Sequence, residues 1–240
     1  MLESDFECFA KSVIIMKKLL ISSLFMLSFT LLCFSATEGG VVTAASFFSQ
    51  VSDKYATIDN YVANVTIKNG KTVQNGILRY RKPNFVRLDF FSPRGQFIIF
   101  ANDMLTIYLP NMNVVLSQKA EGGNSGASLG TAAGLSLMKR SYIISFEKDS
   151  RPHPLYEGSR EMAIILSMDR RTGSEPFRRL RVMINPETYL IRRIEGTPVM
   201  GDDIAFDFSD YRINPGVPGS FFVFEAEHDT TVLNDFLYFE

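Results

Sequence analysis

The chain has 240 residues, among them two histidines and two cysteines, and any case for chemistry begins with those four. His153 stands in Arg151-Pro152-His153-Pro154, with Glu157 and Glu161 following. These residue types could hold a divalent metal, but the stretch has no regular period, and a solvated loop is the preferred reading. Glu225-Ala226-Glu227-His228-Asp229 is a second cluster of imidazole and carboxylates. Strand alternation would put Glu225 and Glu227 on one face, and a solvated edge is again the simpler account. No Cys/His zinc spacing, Gly-x-Ser-x-Gly elbow or phosphate loop occurs. The glycine-rich run at 122–130 lacks the Gly-Lys-Ser/Thr ending and reads as a hinge. The expectation is a protein that is not an enzyme and needs no metal or cofactor.

Cys8 and Cys33 both fall in an N-terminal leader. Met16-Lys17-Lys18 opens an apolar run to Phe34, which ends at Ser35-Ala36-Thr37-Glu38. A basic start, a short apolar stretch and small residues at its end describe a cleaved secretory signal peptide. The run falls short of the ~20 apolar residues of a comfortable membrane span, so an uncleaved anchor is the lesser alternative. Met16 is the expected initiator. Leu32 stands where lipoprotein acylation at Cys33 would require a small residue. The expected division is a leader over 1–36 and a single domain over 37–240. The exported chain would contain no cysteine and no disulfide, so its fold would rest on its apolar core.

That core is rich in phenylalanine: the chain has 21 Phe and no Trp. With 25 basic against 26 acidic residues, it lacks the basic footprint of a nucleic-acid binder and any polybasic run. Phe47, Val51, Tyr55 and Ile58 mark one face of a helix over 41–58. Beyond it the period is two. Strands are predicted at 62–67, 77–81, 85–91, 96–101, 104–109 and 113–117, with turns at Asn69-Gly70, Pro83-Asn84, Pro93-Arg94-Gly95, Asn102-Asp103 and Pro110-Asn111. A flexible stretch at 121–126 leads into a small-residue helix over 127–140, with Leu129, Ala133 and Leu137 on one face. Gly130 and Gly134 each weaken that helix by ~1 kcal/mol relative to Ala. Strands resume at 142–146, 162–168, 179–184, 189–195, 204–209 and 221–225. The apolar tail from Leu233 has no evident place. Short meandering strands without helical crossovers predict a mainly β protein. The simplest geometry is a curved antiparallel sheet, an unclosed half-barrel with a short helical lid.

Alternation aims Val86, Leu88, Phe90, Leu105, Ile107, Leu109, Ile164, Leu166, Leu180, Val182, Phe206 and Phe208 at one concave face. Two readings fit: a fully packed core, which periodicity alone favours, or a hollow that admits an apolar guest. The glycine-interrupted helix, of low intrinsic stability, has the character of a lid that moves, which favours the hollow.

Gly76-Ile77-Leu78-Arg79-Tyr80-Arg81-Lys82-Pro83-Asn84-Phe85-Val86-Arg87-Leu88 resembles the most recognisable stretch of the LolA family of periplasmic lipoprotein carriers. The paired strands ending in Tyr108-Leu109-Pro110 and the hairpin at 179–195 are similar to later parts of that family. The resemblance implies an apolar cavity for the acyl chains of lipoproteins, with Val86, Leu88 and Phe90 in its lining, under a helical lid; Leu129, Leu135, Leu137 and Met138 are the residues expected to close it when empty. It implies a periplasmic monomer that receives acylated lipoproteins from an inner-membrane ABC-type exporter. Delivery would be to an outer-membrane acceptor or to the outer membrane directly, with no nucleic acid involved. A lipoprotein-sensing regulatory domain, or a carrier of another lipid, is the alternative on the same scaffold. The family latches its lid with an Arg directly before the Pro. Here that slot holds Lys82, with Arg81 beside it, and a lysine lacks the guanidinium fork. The family's Pro-rich motif after the late Phe-x-Phe is replaced by Glu225-Ala226-Glu227.

Overall fold

The computed structural model describes residues 42–119, 131–173 and 175–236. The leader and Leu129 lie outside them. Helix α1 spans Ala44–Ala56. Thr43 starts it with a reciprocal cap: its Oγ accepts from the Ser46 N–H, and Ser46 Oγ accepts from the Thr43 N–H, each at 3.1 Å. The predicted stripe of Phe47, Val51, Tyr55 and Ile58 is buried, and Phe48 joins it.

The strands are β1 (Asn60–Asn69), β2 (Thr72–Arg81), β3 (Phe85–Phe90), β4 (Phe97–Ala101), β5 (Met104–Leu109) and β6 (Val114–Lys119). Helix α2 (Ala132–Ser141) follows, then β7 (Tyr142–Phe146), β8 (His153–Pro154), β9 (Met162–Arg170), β10 (Phe177–Ile184), β11 (Ile191–Pro198), β12 (Ile204–Ile213) and β13 (Thr231–Asn234). They form one curved sheet in the order β13-β6-β5-β4-β3-β2-β1-β12-β11-β10-β9-β7, with β8 added beside β9. The sheet does not close, and the half-barrel expected from the strand pattern is the fold. Asn102 and Asp103 both take left-handed φ, 53° and 59°, as a tight two-residue hairpin turn requires. Gly76 is needed where β2 meets β3: a Cβ there would run into the Asp89 carbonyl and lie 3.1 Å from the Leu88 side chain.

Register lines up one apolar set from successive strands on the same concave face. Leu78 faces Leu88, which faces Ile98, which faces Ile107. Phe206 faces Ile194, which faces Val182, which faces Leu166. Both helices lie on this face, and Leu135 and Met138 of α2 join the same core cluster as α1.

The C-terminal region departs from expectation. The predicted strand at 221–225 is instead a short 3₁₀ turn, Gly219–Phe222, followed by extended chain. This strap crosses the convex face. Phe222 packs on Phe85 with ring centroids 5.6 Å apart, and Phe224 packs on Phe97 at 4.8 Å. Arg87 donates to the Phe221 carbonyl at 2.9 Å. An alternating Phe-x-Phe is met equally well by a strap as by a strand. The tail then pairs as β13, parallel to β6, in an otherwise antiparallel sheet. Met183, expected to face solvent, is buried beneath Leu155 of the β7–β9 connection, beside Ala163 and Ile165.

Candidate functional site

The concave face has two zones. Beneath the helices, Val86, Leu88, Phe90, Ile164, Leu166, Leu180, Val182 and Phe208 are buried in one cluster with Phe47, Val51, Leu135 and Met138. Here the side chains pack on one another. Phe206 and Leu105 are partly buried against the edge of that cluster. Towards β6 the face opens. Ile107, Leu109, Val114 and Leu116 are only half-buried, and Leu233 on β13, opposite Leu116, is 40% exposed. The row Leu88–Ile98–Ile107–Leu116–Leu233 therefore runs from packed core to exposed edge without a polar break.

The α2 residues that pack include two of those expected in the lid, Leu135 and Met138, but not Ala133 of the predicted stripe. Gly134, Leu135 and Met138 are buried, Leu137 is half-buried and Ala133 is exposed. Glycine at 134 costs helix propensity but gives α2 a flat side. Two polar ties hold α2: Lys139 Nζ donates to Ser49 Oγ at 3.2 Å, and the Arg171 N–H donates to the Ser141 carbonyl at 2.8 Å. The expected latch residues reach elsewhere. Lys82 Nζ donates to the Ala56 carbonyl at 2.7 Å and to Asp59 Oδ1 at 3.0 Å, so it secures the end of α1. A cation on the last carbonyls of a helix is favourable. Arg81 alternates to the convex side and donates to the Val217 carbonyl of the strap at 3.3 Å.

The sequence suggested no polar group within the apolar face, yet the fold places Tyr55, Tyr61, Tyr80 and Tyr211 together at its α1 end. Tyr61 stacks on Tyr80 and Tyr211 at 5.2 and 5.5 Å. Tyr55 Oη accepts from the Ile191 N–H at 3.1 Å, and Tyr211 Oη donates to the Ile191 carbonyl at 2.8 Å. Period-two reading had hidden them, since tyrosine counts as apolar in such a pattern. Burial, first among the causes, raises the pKa of each above the usual tyrosine value. The unfolded chain therefore releases these protons first, near pH ~10. Stability is fully present below that pH and falls as the pH rises through the raised folded values. Urea midpoints measured from about pH 9 upward are expected to decline, and Tyr61→Phe is expected to flatten the decline. Identical curves for both proteins would exclude the cluster as the cause.

The polar clusters lie apart from this face. His153 Nε2 is 2.9 Å from Asp149 Oδ1, Glu161 is paired with Arg192 (Arg192 Nη2 to Glu161 Oε2, 3.0 Å), and Glu157 is exposed. His153 and Glu161 thus have other partners. An open cleft of ≈ 550 Å³ on the convex side is lined by Lys68, Arg179, Arg181, Arg193, Glu195 and Asp202, among others. Its cations are matched by carboxylates: Arg179 with Asp169 at 2.8 Å, Arg181 with Glu147 at 2.7 Å, Arg193 with Glu195 at 2.6 Å and Lys68 with Asp207 at 3.3 Å. That surface is a solvated ion-pair ladder.

Comparison with known proteins agrees with this architecture. A crystal structure of an uncharacterized conserved protein from Thermus thermophilus superposes with a TM-score of 0.53 at 12% identity, over 78% of this chain and 98% of that one. A LolA superfamily protein from Nitrosomonas europaea aligns at a TM-score of 0.41 and 14% identity, over 76% and 98% of the two chains. The lipoprotein LppX of Mycobacterium tuberculosis aligns at 0.43 and 10%, over 73% and 97%. No curated protein sequence matches. The family described as "Outer membrane lipoprotein carrier protein LolA" matches residues 59–225, from the start of β1 to the end of the strap. The chain belongs to the LolA family.

Proposed function

We propose that this protein is a periplasmic carrier that holds the acyl chains of lipoproteins on its concave face. It takes them from an inner-membrane ABC-type exporter and delivers them to the outer membrane. It acts as a monomer, without cofactor or catalysis. The observation that carries the reading is the unbroken apolar row from Leu88 to Leu233, half-open at Ile107 and Leu116 and continuous at its other end with the buried cluster that includes Leu135 and Met138 of α2.

Magnitudes favour a reversible carrier. Each methylene kept from water is worth ~0.8 kcal/mol, so bare transit of acyl chains through an aqueous space costs tens of kcal/mol by that figure. Opening α2 exposes the large side chains Leu135 and Met138, at ~1.5–3 kcal/mol each. Burying ~4–8 methylenes offsets that cost. Loading therefore drives opening, and the strain of opening limits affinity so that cargo can leave. Mass spectrometry of the protein purified without detergent is expected to find diacylated or triacylated polypeptide bound in substoichiometric amount. Recovery of free phospholipid alone would favour a carrier of another lipid instead.

A further inference from the structure

Antiparallel pairing sends alternate turns to opposite rims of the half-barrel. The turns β5–β6, β3–β4, β1–β2, β11–β12 and β9–β10 all fall on one rim and follow one another along the sheet. They support each other. The Phe91 N–H bonds to the Asn75 carbonyl at 2.9 Å, the Val199 N–H bonds to the Pro176 carbonyl at 3.3 Å, and a Cβ on Gly95 would lie 3.8 Å from Pro110. The rim is therefore a continuous built edge.

Its apolar side chains project outward. Met200 is 88% exposed, Met112 70%, Phe91 58% and Val73 56%, each at a different turn. Between them stand exposed Lys71, Arg94, Arg171 and Arg178, against the carboxylates Glu175, Asp202 and Asp203. The turns of the other rim are polar: Lys82-Pro83-Asn84, Asn102-Asp103 and Asn185-Pro186-Glu187-Thr188. The exposed apolar residues near that rim are Tyr156, at 61% in the β8–β9 connection, and Met162, Met104 and Ile213, at 41%, 38% and 38% within strand ends.

Single apolar tips separated by charges, cations in slight excess, do not make the contiguous patch of a protein interface, whose centre is depleted of charge. They do match the boundary of a bilayer, where basic groups meet phosphates and apolar tips reach the acyl layer. The half-buried Leu109 and Val114 lie at the same rim, at the ends of β5 and β6, so the open part of the concave face leads to it. We infer that this rim is a membrane-contact surface. It seats on the headgroup layer of an anionic phospholipid bilayer with Phe91, Met112 and Met200 inserted, and so opens the groove directly onto lipid. The inference deepens the carrier reading and rests on it for its purpose, but its test does not require bound cargo.

The test is co-sedimentation of the purified protein, its N-terminus sequenced, with phosphatidylethanolamine–phosphatidylglycerol vesicles and with phosphatidylcholine vesicles. Wild type is expected to partition into the anionic vesicles, and more weakly into neutral ones or at high salt. The double variant Phe91→Ser/Met200→Ser is expected to lose about tenfold or more of that partition. It should keep its melting curve and its uptake of a fluorescent lipopeptide in solution. Ile213→Ser, on the other rim, should partition as wild type. Absence of wild-type partition, or equal partition by the rim double variant, overturns the inference and leaves the rim to a protein partner. Failure of the wild type to take up lipopeptide would count against the carrier reading instead, with the vesicle result unaffected.

Discussion

Ile107→Glu is expected to remove acyl-chain uptake while leaving the fold in place. Ile107 lies on the concave face between Ile98 and Leu116, but it is half-buried, so a carboxylate there stays hydrated in the empty protein. Filling the groove with an acyl chain would strip that water. Burying an unpaired carboxylate costs several kcal/mol or more, and every ~1.4 kcal/mol is tenfold in affinity. Affinity for a fluorescent lipopeptide should therefore fall about a hundredfold or more. The thermal midpoint should stay near that of the parent. The informative control is Ile107→Leu, which keeps the apolar surface and should bind normally. Unaltered uptake by Ile107→Glu would mean that acyl chains do not lie along this row.

Leu88→Glu is expected to do the opposite: it should lose the fold before any statement about binding can be made. Leu88 is 9% exposed, inside the cluster that holds Leu166, Leu180, Leu135 and α1. The substitution removes a core side chain and places a charge where nothing pairs with it, two effects that together exceed ~4 kcal/mol. Domain stabilities are only ~5–15 kcal/mol, so soluble yield and urea midpoint should both drop sharply. The pair of variants separates the two readings of the concave face. If Leu88→Glu folds with a near-native midpoint and merely fails to bind, the hollow extends under the helices as far as β3. If it unfolds as expected, β3 belongs to the packed floor, and the guest enters from the β5–β6 side.

Much of this was legible in the residues. Val86-Arg87-Leu88-Asp89-Phe90 states its own pleat, and Asn69-Gly70, Pro83-Asn84 and Asn102-Asp103 mark where strands must reverse. Phe47, Val51, Tyr55 and Ile58 declare the buried stripe of α1. Local sterics and side-chain period decide these features, so they survive without tertiary information. The stretch from Gly76 to Leu88 was specific enough to point to the family. Three other features were not legible. Ala133, predicted on the packed stripe of α2, is exposed while Leu135 and Met138 are buried, because a run of small and apolar residues offers several helical faces of similar merit. Lys82 stands in the latch slot and secures the end of α1, because a flexible lysine takes whichever carbonyl the fold brings near. Alternation at Phe222 and Phe224 predicts a strand where the chain forms a strap, because alternation records which side is apolar and not what it meets.

By itself, then, the sequence determined most of the strands and their turns, the concave apolar side of those strands and the absence of a recognisable catalytic motif. Tertiary structure alone decided which part of the apolar face is packed and which is half-open. It also decided that the tail returns as a parallel strand beside β6 and that Tyr55, Tyr61, Tyr80 and Tyr211 converge. The reason is physical. Hydrophobic burial is non-directional, so a residue's type says that it will leave water, while pairings between strands and segments far apart in the chain settle which neighbours it finds.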